Sequence, residues 1–279
     1  MDDGNTPATA VKKLIGDLSG LRQQINNRAA VQFASAVVMH LPRILQERSL
    51  MAADEEMIGR NYSVEFYDGP ALEIPGELFG SIREQLLRDV YFGDEGIPFG
   101  PGDWVLDLGA THGVFSTIAA TRGATVIAVE GQQRFLSSLE EQISRNGCLE
   151  SVRIVNAIIG GDEGVVSEVR EGDSPFDGVS NQGIQDILDE ADYGGGDIYI
   201  KMDIEGSEFS VLREPTSWLD QVKWITIEVH PSHGDHVSLL DFLKNESFQV
   251  AIYDELKNEI PRSELSGRTR AFFARGIRQ

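Results

Sequence analysis

The chain is poor in cysteine and in lysine and has no apolar run long enough to cross a bilayer. One cysteine, Cys148, stands among 279 residues. That excludes an intrachain disulfide and any zinc site built on paired thiolates, and it suits a reducing compartment. No apolar stretch approaches the ~20 residues a spanning helix needs. The start, Met1-Asp2-Asp3-Gly4-Asn5, lacks a basic segment followed by an apolar core, so no secretory signal is read there. These absences lead to the expectation of a cytoplasmic protein with no integral membrane segment.

Positive charge is also scarce. Asp and Glu number 45 against 24 Lys and Arg, a formal net charge of −21, and only six of the basic residues are lysines. No basic stripe interleaved with aromatics is present, so unaided binding to nucleic acid is not expected. The same balance argues against electrostatic attachment to an anionic membrane. An acidic, lysine-poor surface suggests a halophilic protein, because concentrated salt screens the self-repulsion that such a surface suffers in dilute buffer.

Residues 10–58 carry apolar positions at helical spacing, first Val11, Leu14, Ile15, Leu18, Leu21 and Ile25, then a second series from Ala29 to Leu50 that Pro42 bends or breaks. His40 on this segment reads as a packing or surface residue. A strand is expected over 62–67, turns at Pro70, Pro75 and Gly76, a helix over 79–91, and a Gly- and Pro-rich connection over 93–102. Strands and helices then alternate. Strands are expected at 104–108, 125–129, 152–155, 198–202 and 222–229. Helices are expected at 113–122, 132–146, 182–191 and 236–245, with a short one before 222. A Gly- and Asp-rich insertion covers 160–181, and two strands, 248–253 and 270–274, close the chain. The expected architecture is a helical N-terminal extension, residues 1–100, and an α/β domain, residues 101–279, with a Rossmann-like, seven-stranded, mostly parallel sheet ending in an antiparallel hairpin. The extension could cap the domain, cover a substrate, or make a homodimer contact.

In such a sheet ligands bind beyond the carboxyl ends of the strands, and four strands here end in polar groups. The first runs into Asp107-Leu108-Gly109-Ala110-Thr111-His112-Gly113. This is not the Gly-x-Gly-x-x-Gly of a dinucleotide site, and an acid in that turn repels phosphate. It suits a ligand with a cationic end, such as the amino acid and sulfonium of S-adenosylmethionine, with Asp107 near the ammonium. Gly109 and Gly113 would allow close approach, and free N–H groups at the helix start would face the ligand carboxylate. Ala110, Thr111 and His112 share that loop. Glu130, closing the second strand, suits two ribose hydroxyls, and Asn156 and Ala157, after the third, fall where adenine would lie. Asp203 and Glu205 end the fourth.

A methyltransferase acting on a hydroxyl must position it in line and remove its proton. His230 is the first candidate for that base and Asp203 the second, with Glu228, two residues from His230 on the same strand face, orienting the imidazole. The run His230-Pro231-Ser232-His233-Gly234-Asp235-His236 also raises a metal-dependent hydrolase. Its spacing matches no helical or strand ligand pair, so no metal is assigned; Asp235 would cap the following helix. A nicotinamide-dependent oxidoreductase is disfavoured by the missing third glycine and by Asp107.

The loop 107–116, Ala128-Val129-Glu130, the run Lys201-Met202-Asp203-Ile204-Glu205-Gly206-Ser207-Glu208 and Ile227-Glu228-Val229-His230 together resemble the FkbM-type methyltransferases. The resemblance covers about residues 102–275. It implies an S-adenosylmethionine-dependent enzyme of Rossmann-like fold acting on hydroxyls of sugars, glycolipids or polyketides, hence a small-molecule or glycan acceptor. The chain departs from that pattern at Thr111, where the family often has Asn, and at Gly131, where it often has Pro.

Overall fold

The computed structural model describes residues 7–47, 49–92, 96–160, 176, 178–213 and 216–278. Most of the 160–181 insertion, part of the 93–102 connection and the first six residues lie outside the described residues. The chain forms two compact units, residues 1–90 and 91–279.

In the first unit the amphipathic segments become α1 (Pro7–Gly20), α2 (Asn27–Met39), α3 (Leu41–Glu47) and α4 (Met51–Asp54). Asn26 caps α2, its side chain accepting from Ala29 N at 2.8 Å. The break before Pro42 falls at His40, as the proline's fixed φ and missing N–H require; His40 itself meets Glu56 on the surface. The strand expected over 62–67 is shorter, β1 (Asn61–Val64), and it pairs antiparallel with β2 (Leu72–Pro75). The turn residues in 70–76 concealed β2, because Pro75 sits at a strand end where a ladder tolerates it. The helix expected over 79–91 is one α-helical turn, α5 (Phe79–Ser81), widened into a π-turn at Ile82–Leu87. The unit is tied by a buried charge network. Asp17 accepts from Arg88 at 2.8 Å and from Arg83 at 3.1 Å, and Arg83 also forks onto Asp54.

The second unit is built on a seven-stranded sheet of order β10-β11-β9-β8-β3-β4-β5. The strands are β3 (Trp104–Leu108), β4 (Thr125–Val129), β5 (Val152–Val155), β8 (Ile198–Met202), β9 (Val222–Val229), β10 (Phe248–Tyr253) and β11 (Phe272–Arg278). The chain winds outward from β3 to β5, then returns to β8 beside β3, so the order reverses between β3 and β8. Only β11 runs antiparallel, wedged between β10 and β9. It starts two residues later than expected and continues to Arg278, and it forms the expected hairpin with β10. Helices α6 (Val114–Ala120), α7 (Gln133–Arg145), α8 (Ile184–Glu190), α9 (Glu208–Val211) and α10 (His236–Asn245) cover the sheet. Central strands buried on both faces read as near-continuous apolar runs, which made them visible in the sequence. A parallel pair of three-residue strands, β6 (Ala157–Ile159) and β7 (Ser180–Gln182), was not expected. Asp235 does cap α10, accepting from Val237 N and Ser238 N. Cys148 is buried between α7 and β5. No described helix is long and apolar enough to cross a membrane.

Candidate functional site

Beyond the carboxyl ends of β3, β4 and β8 lies a cleft of about 320 Å³, at the order reversal where an open parallel sheet offers a ligand site. Its polar wall includes Glu130, Asp203 and Glu205; its apolar wall includes Phe135, Ile158 and Phe176.

The loop after β3 is fixed by the neighbouring strands. Gly109 and Ala110 donate to Val129 O at 3.0 and 2.9 Å, and Asp203 N donates to Leu108 O at 3.0 Å. Gly109 adopts φ +78°, and a Cβ there would stand 1.9 Å from Asp203 O. The glycine is therefore required by the backbone crossing from β8, and it also lines the cleft. Gly113 likewise faces Leu139, 2.4 Å from where its Cβ would be. Thr111 lines the cleft, and its N–H donates to Glu130 Oε2 at 2.8 Å. Glu130 Oε1 accepts from Gln132 N at 2.6 Å. Burial raises the Glu130 pKa, against the pull of these two N–H groups and of Lys201. Asn156 does not line the cleft. Its amide donates to Glu130 O and Gly131 O, holding the turn that carries Glu130, while Ala157 faces the cleft. A Cβ on Gly131 would come within 3.1 Å of the Phe176 ring, so the aromatic fills the space in which the family often has proline. His112 is turned to Ser138 and packs edge-on against Phe135; burial lowers its pKa, aided by Arg134.

Asp107 is fully buried and is not part of the cleft wall. Its Oδ2 accepts from Ser116 Oγ at 2.7 Å and its Oδ1 lies 3.2 Å from Lys201 Nζ. Lys201, the penultimate residue of β8, donates to Gly109 O at 2.6 Å and stands 3.9 Å from Asp203 Oδ2. Burial works against its charge, but Asp107 and Asp203 outweigh that and hold its pKa above the usual lysine value. Its role was not foreseen, although a lysine inside an apolar five-residue strand is a visible signal. Tyr91 was missed altogether. Its hydroxyl donates to Asp203 Oδ2 at 3.0 Å, while its ring meets Phe115 and Phe273 edge-on.

His230 is held by Glu208, where Glu228 was expected. Glu208 is fully buried; its Oε1 accepts from His230 N at 2.7 Å and lies 3.3 Å from Nδ1, while its Oε2 accepts from Gly206 N. On the other side, His230 Nε2 is 3.4 Å from Glu205 Oε2. Burial disfavours the imidazolium, but Glu208, then Glu228 and Glu205, prevail and push the pKa up to about 9. His230 is thus a cation at neutral pH, which counts against its expected role as a base.

Of the three histidines of the 230–236 run, His230 and His233 stand edge-on with ring centroids 6.5 Å apart, and His236 is turned away from them. His236 bonds Leu265 O and packs on Phe272, and His233 lies over Gly206. Among the described residues, the group of metal-ligating types brought together is Asp203, Glu228 and His230, with atoms within 4.8 Å of one another. Lys201 and the charged His230 already supply cations there.

The wall suits S-adenosylmethionine: a carboxylate for a diol, Asp203 and Glu205 for a cationic end, and aromatic and aliphatic faces for a purine. Similar solved structures include a precorrin-6y C5,15-methyltransferase from Geobacter metallireducens (14% identity, 65% of this chain, 83% of that one, TM-score 0.34). Another is a SAM-dependent methyltransferase from Agrobacterium tumefaciens (13%, 80% and 71%, TM-score 0.41). A third is a TehB-like SAM-dependent methyltransferase from Corynebacterium glutamicum (9%, 65% and 83%, TM-score 0.39). No curated protein matches the chain. Residues 107–250, just over half the chain, match the methyltransferase FkbM domain. The chain therefore belongs to the FkbM methyltransferase family, and its cofactor is S-adenosylmethionine.

Proposed function

We propose that the protein methylates a hydroxyl group of a sugar, glycan or related small molecule. The observation that carries this reading is that one cleft holds Glu130 on one strand end and Asp203 and Glu205 on another. When bound, the cofactor supplies an electrophilic methyl group. Glu130 would accept from the ribose hydroxyls, through lone pairs left by Thr111 N and Gln132 N. Ala157, Ile158 and Phe176 would enclose the adenine, and the Asp203 carboxylate would hold the cationic end.

The acceptor oxygen forms the new C–O bond as the methyl carbon–sulfur bond breaks, S-adenosylhomocysteine being the leaving group, and the oxygen must shed its proton. Asp203 takes it, because His230 is already protonated below about pH 9. Tyr91 orients Asp203, and His230 and Glu208 fix the segment bearing Glu205, which faces the acceptor. His230 is in this scheme a positioning residue.

Calorimetry with S-adenosylhomocysteine tests the cofactor assignment. Glu130→Ala should weaken binding roughly 10- to 100-fold, the worth of a charged hydrogen bond at about 1.5–3 kcal/mol; unchanged affinity removes Glu130 from the ribose. Labelled-methyl transfer onto glycan, glycolipid and polyketide-type hydroxyls tests the acceptor class. Label appearing only on nitrogen or carbon acceptors would overturn the O-methyl reading.

A further inference from the structure

The exposed apolar residues are concentrated in one place. Of the eleven large hydrophobic side chains that stand exposed among the described residues, nine fall between Val11 and Ile58. Three of these are spaced by seven: Val31, Val38 and Leu45, at 66%, 75% and 70% exposure. The backbone makes that spacing meaningful. His40 N donates to Ala36 O and Ile44 N to His40 O, so His40 both ends α2 and opens the ladder of α3, with no other residue between the two helices. Val31, Val38 and Leu45 then occupy one seam, with half-buried Ala34 and exposed Leu41 at the alternate positions. This is the 3-4 spacing with which one helix packs along another, the small Ala34 permitting close approach. The opposite face, with Phe33, Ala36 and Val37, is buried in the unit's own core.

Charge selects the occupant. Residues 1–60 contain seven Lys and Arg and seven Asp and Glu, so the entire −21 resides on 61–279. Two copies of so acidic a chain repel each other over most of their surface, and the N-terminal segment is where they can meet without that repulsion. An anionic lipid surface gains little from a segment of zero net charge. Direction follows from the seam's ends. Val31 stands at one and Leu45 at the other, both exposed. Two seams laid antiparallel about Val38 set Val31 of each copy against Leu45 of the partner subunit, so the seam keeps one width along its length, whereas a parallel pair sets valine on valine at one end and leucine on leucine at the other.

We infer that α2 and α3 form the interface of a two-fold homodimer, pairing antiparallel about Val38 with the same helices of a second copy. Such an interface is isologous, each copy offering the same patch.

Light scattering after gel filtration of the full chain, at 20–100 µM in 1 M KCl, tests this. The expected mass is twice 30.7 kDa; a monomer throughout that range overturns the proposal. Val38→Glu places two like charges at the centre of the seam and should give a monomer. Because Val38 is exposed in the single chain, circular dichroism and the melting temperature of dilute protein should be unchanged. A dimer that survives Val38→Glu would move the contact elsewhere and overturn the assignment. Orientation has its own readout. Val38→Cys should cross-link to itself under mild oxidation, and mixed Val31→Cys and Leu45→Cys proteins should cross-link to each other more readily than either alone. Preferential self-cross-linking of Val31→Cys would mean a parallel pair. Sedimentation of monomer with phosphatidylserine vesicles would mean a lipid-facing seam and would likewise overturn the proposal.

Discussion

His230 shows how a residue type can be visible in sequence while its state is not. An imidazole two residues from a glutamate at a strand end reads as a base with its orienting acid. Yet the acid that decides its protonation, Glu208, is 22 residues away and arrives from the start of α9. Its pKa is raised above the unfolded value near 6.5 to about 9. The stabilisation this brings is therefore fully present below pH 6.5 and is lost as pH rises from 6.5 through 9. The span corresponds to as much as ~3 kcal/mol. Thermal melts of wild type and His230→Gln should differ most at pH 6 and converge above pH 9; a constant difference would mean that His230 is neutral throughout. Catalysis gives the complementary reading. With Asp203 as proton acceptor, Asp203→Asn lowers kcat by about 10²- to 10⁴-fold. With His230 as the base, kcat would instead climb about tenfold per unit up to pH 9. Glu130, by contrast, was legible in position: it ends an apolar run, and it stands on the cleft wall.

At the level of elements, legibility followed length and burial. The central strands β3, β4, β8 and β9 and helices α7 and α10 stand where their apolar patterns put them, because burying those patterns leaves little choice of register. Elements of three or four residues, such as β2, β6 and β7, carry too few positions to establish a period. Asp107 was misplaced for a related reason. Its position at the end of β3 was legible, but its orientation was set by Ser116 and by a lysine from the adjacent strand. The glycines of the β3 loop were found by pattern, and the structure supplies their physical cause. Gly109→Ala should cost more than ~2 kcal/mol, since the side chain would meet both a positive φ and the Asp203 carbonyl. Gly147, at φ +69° after α7, has open space around its Cβ position, so Gly147→Ala should cost only the conformational ~1–2 kcal/mol. Equal melting temperatures for the two variants would mean that the β3 and β8 loops do not pack as closely as 1.9 Å implies.

The property of the whole molecule that no single residue explains is its charge. A chain at −21 is compact against its own repulsion, and the range of that repulsion is set by ionic strength: about 8 Å at 0.15 M and 3 Å at 1 M. Two contributions can be separated by the shape of the salt response. Screening is nearly complete by about 0.5–1 M, because the screening length has by then fallen below the spacing of neighbouring surface charges. A surface whose carboxylates organise hydrated cations continues to gain beyond that point. The excess of acids over lysines favours the second behaviour, so the melting temperature in KCl should keep rising between 1 and 3 M, each kcal/mol gained appearing as roughly 2–4 °C. Sodium sulfate strengthens apolar burial in any protein, which makes KCl the discriminating salt. A melting temperature that levels off by 0.5 M would identify the acidity as repulsion that is merely screened. A curve flat from 0.15 to 3 M would show that the carboxylates are too far apart to burden the fold, and the expectation of a salt-adapted protein would fall with it.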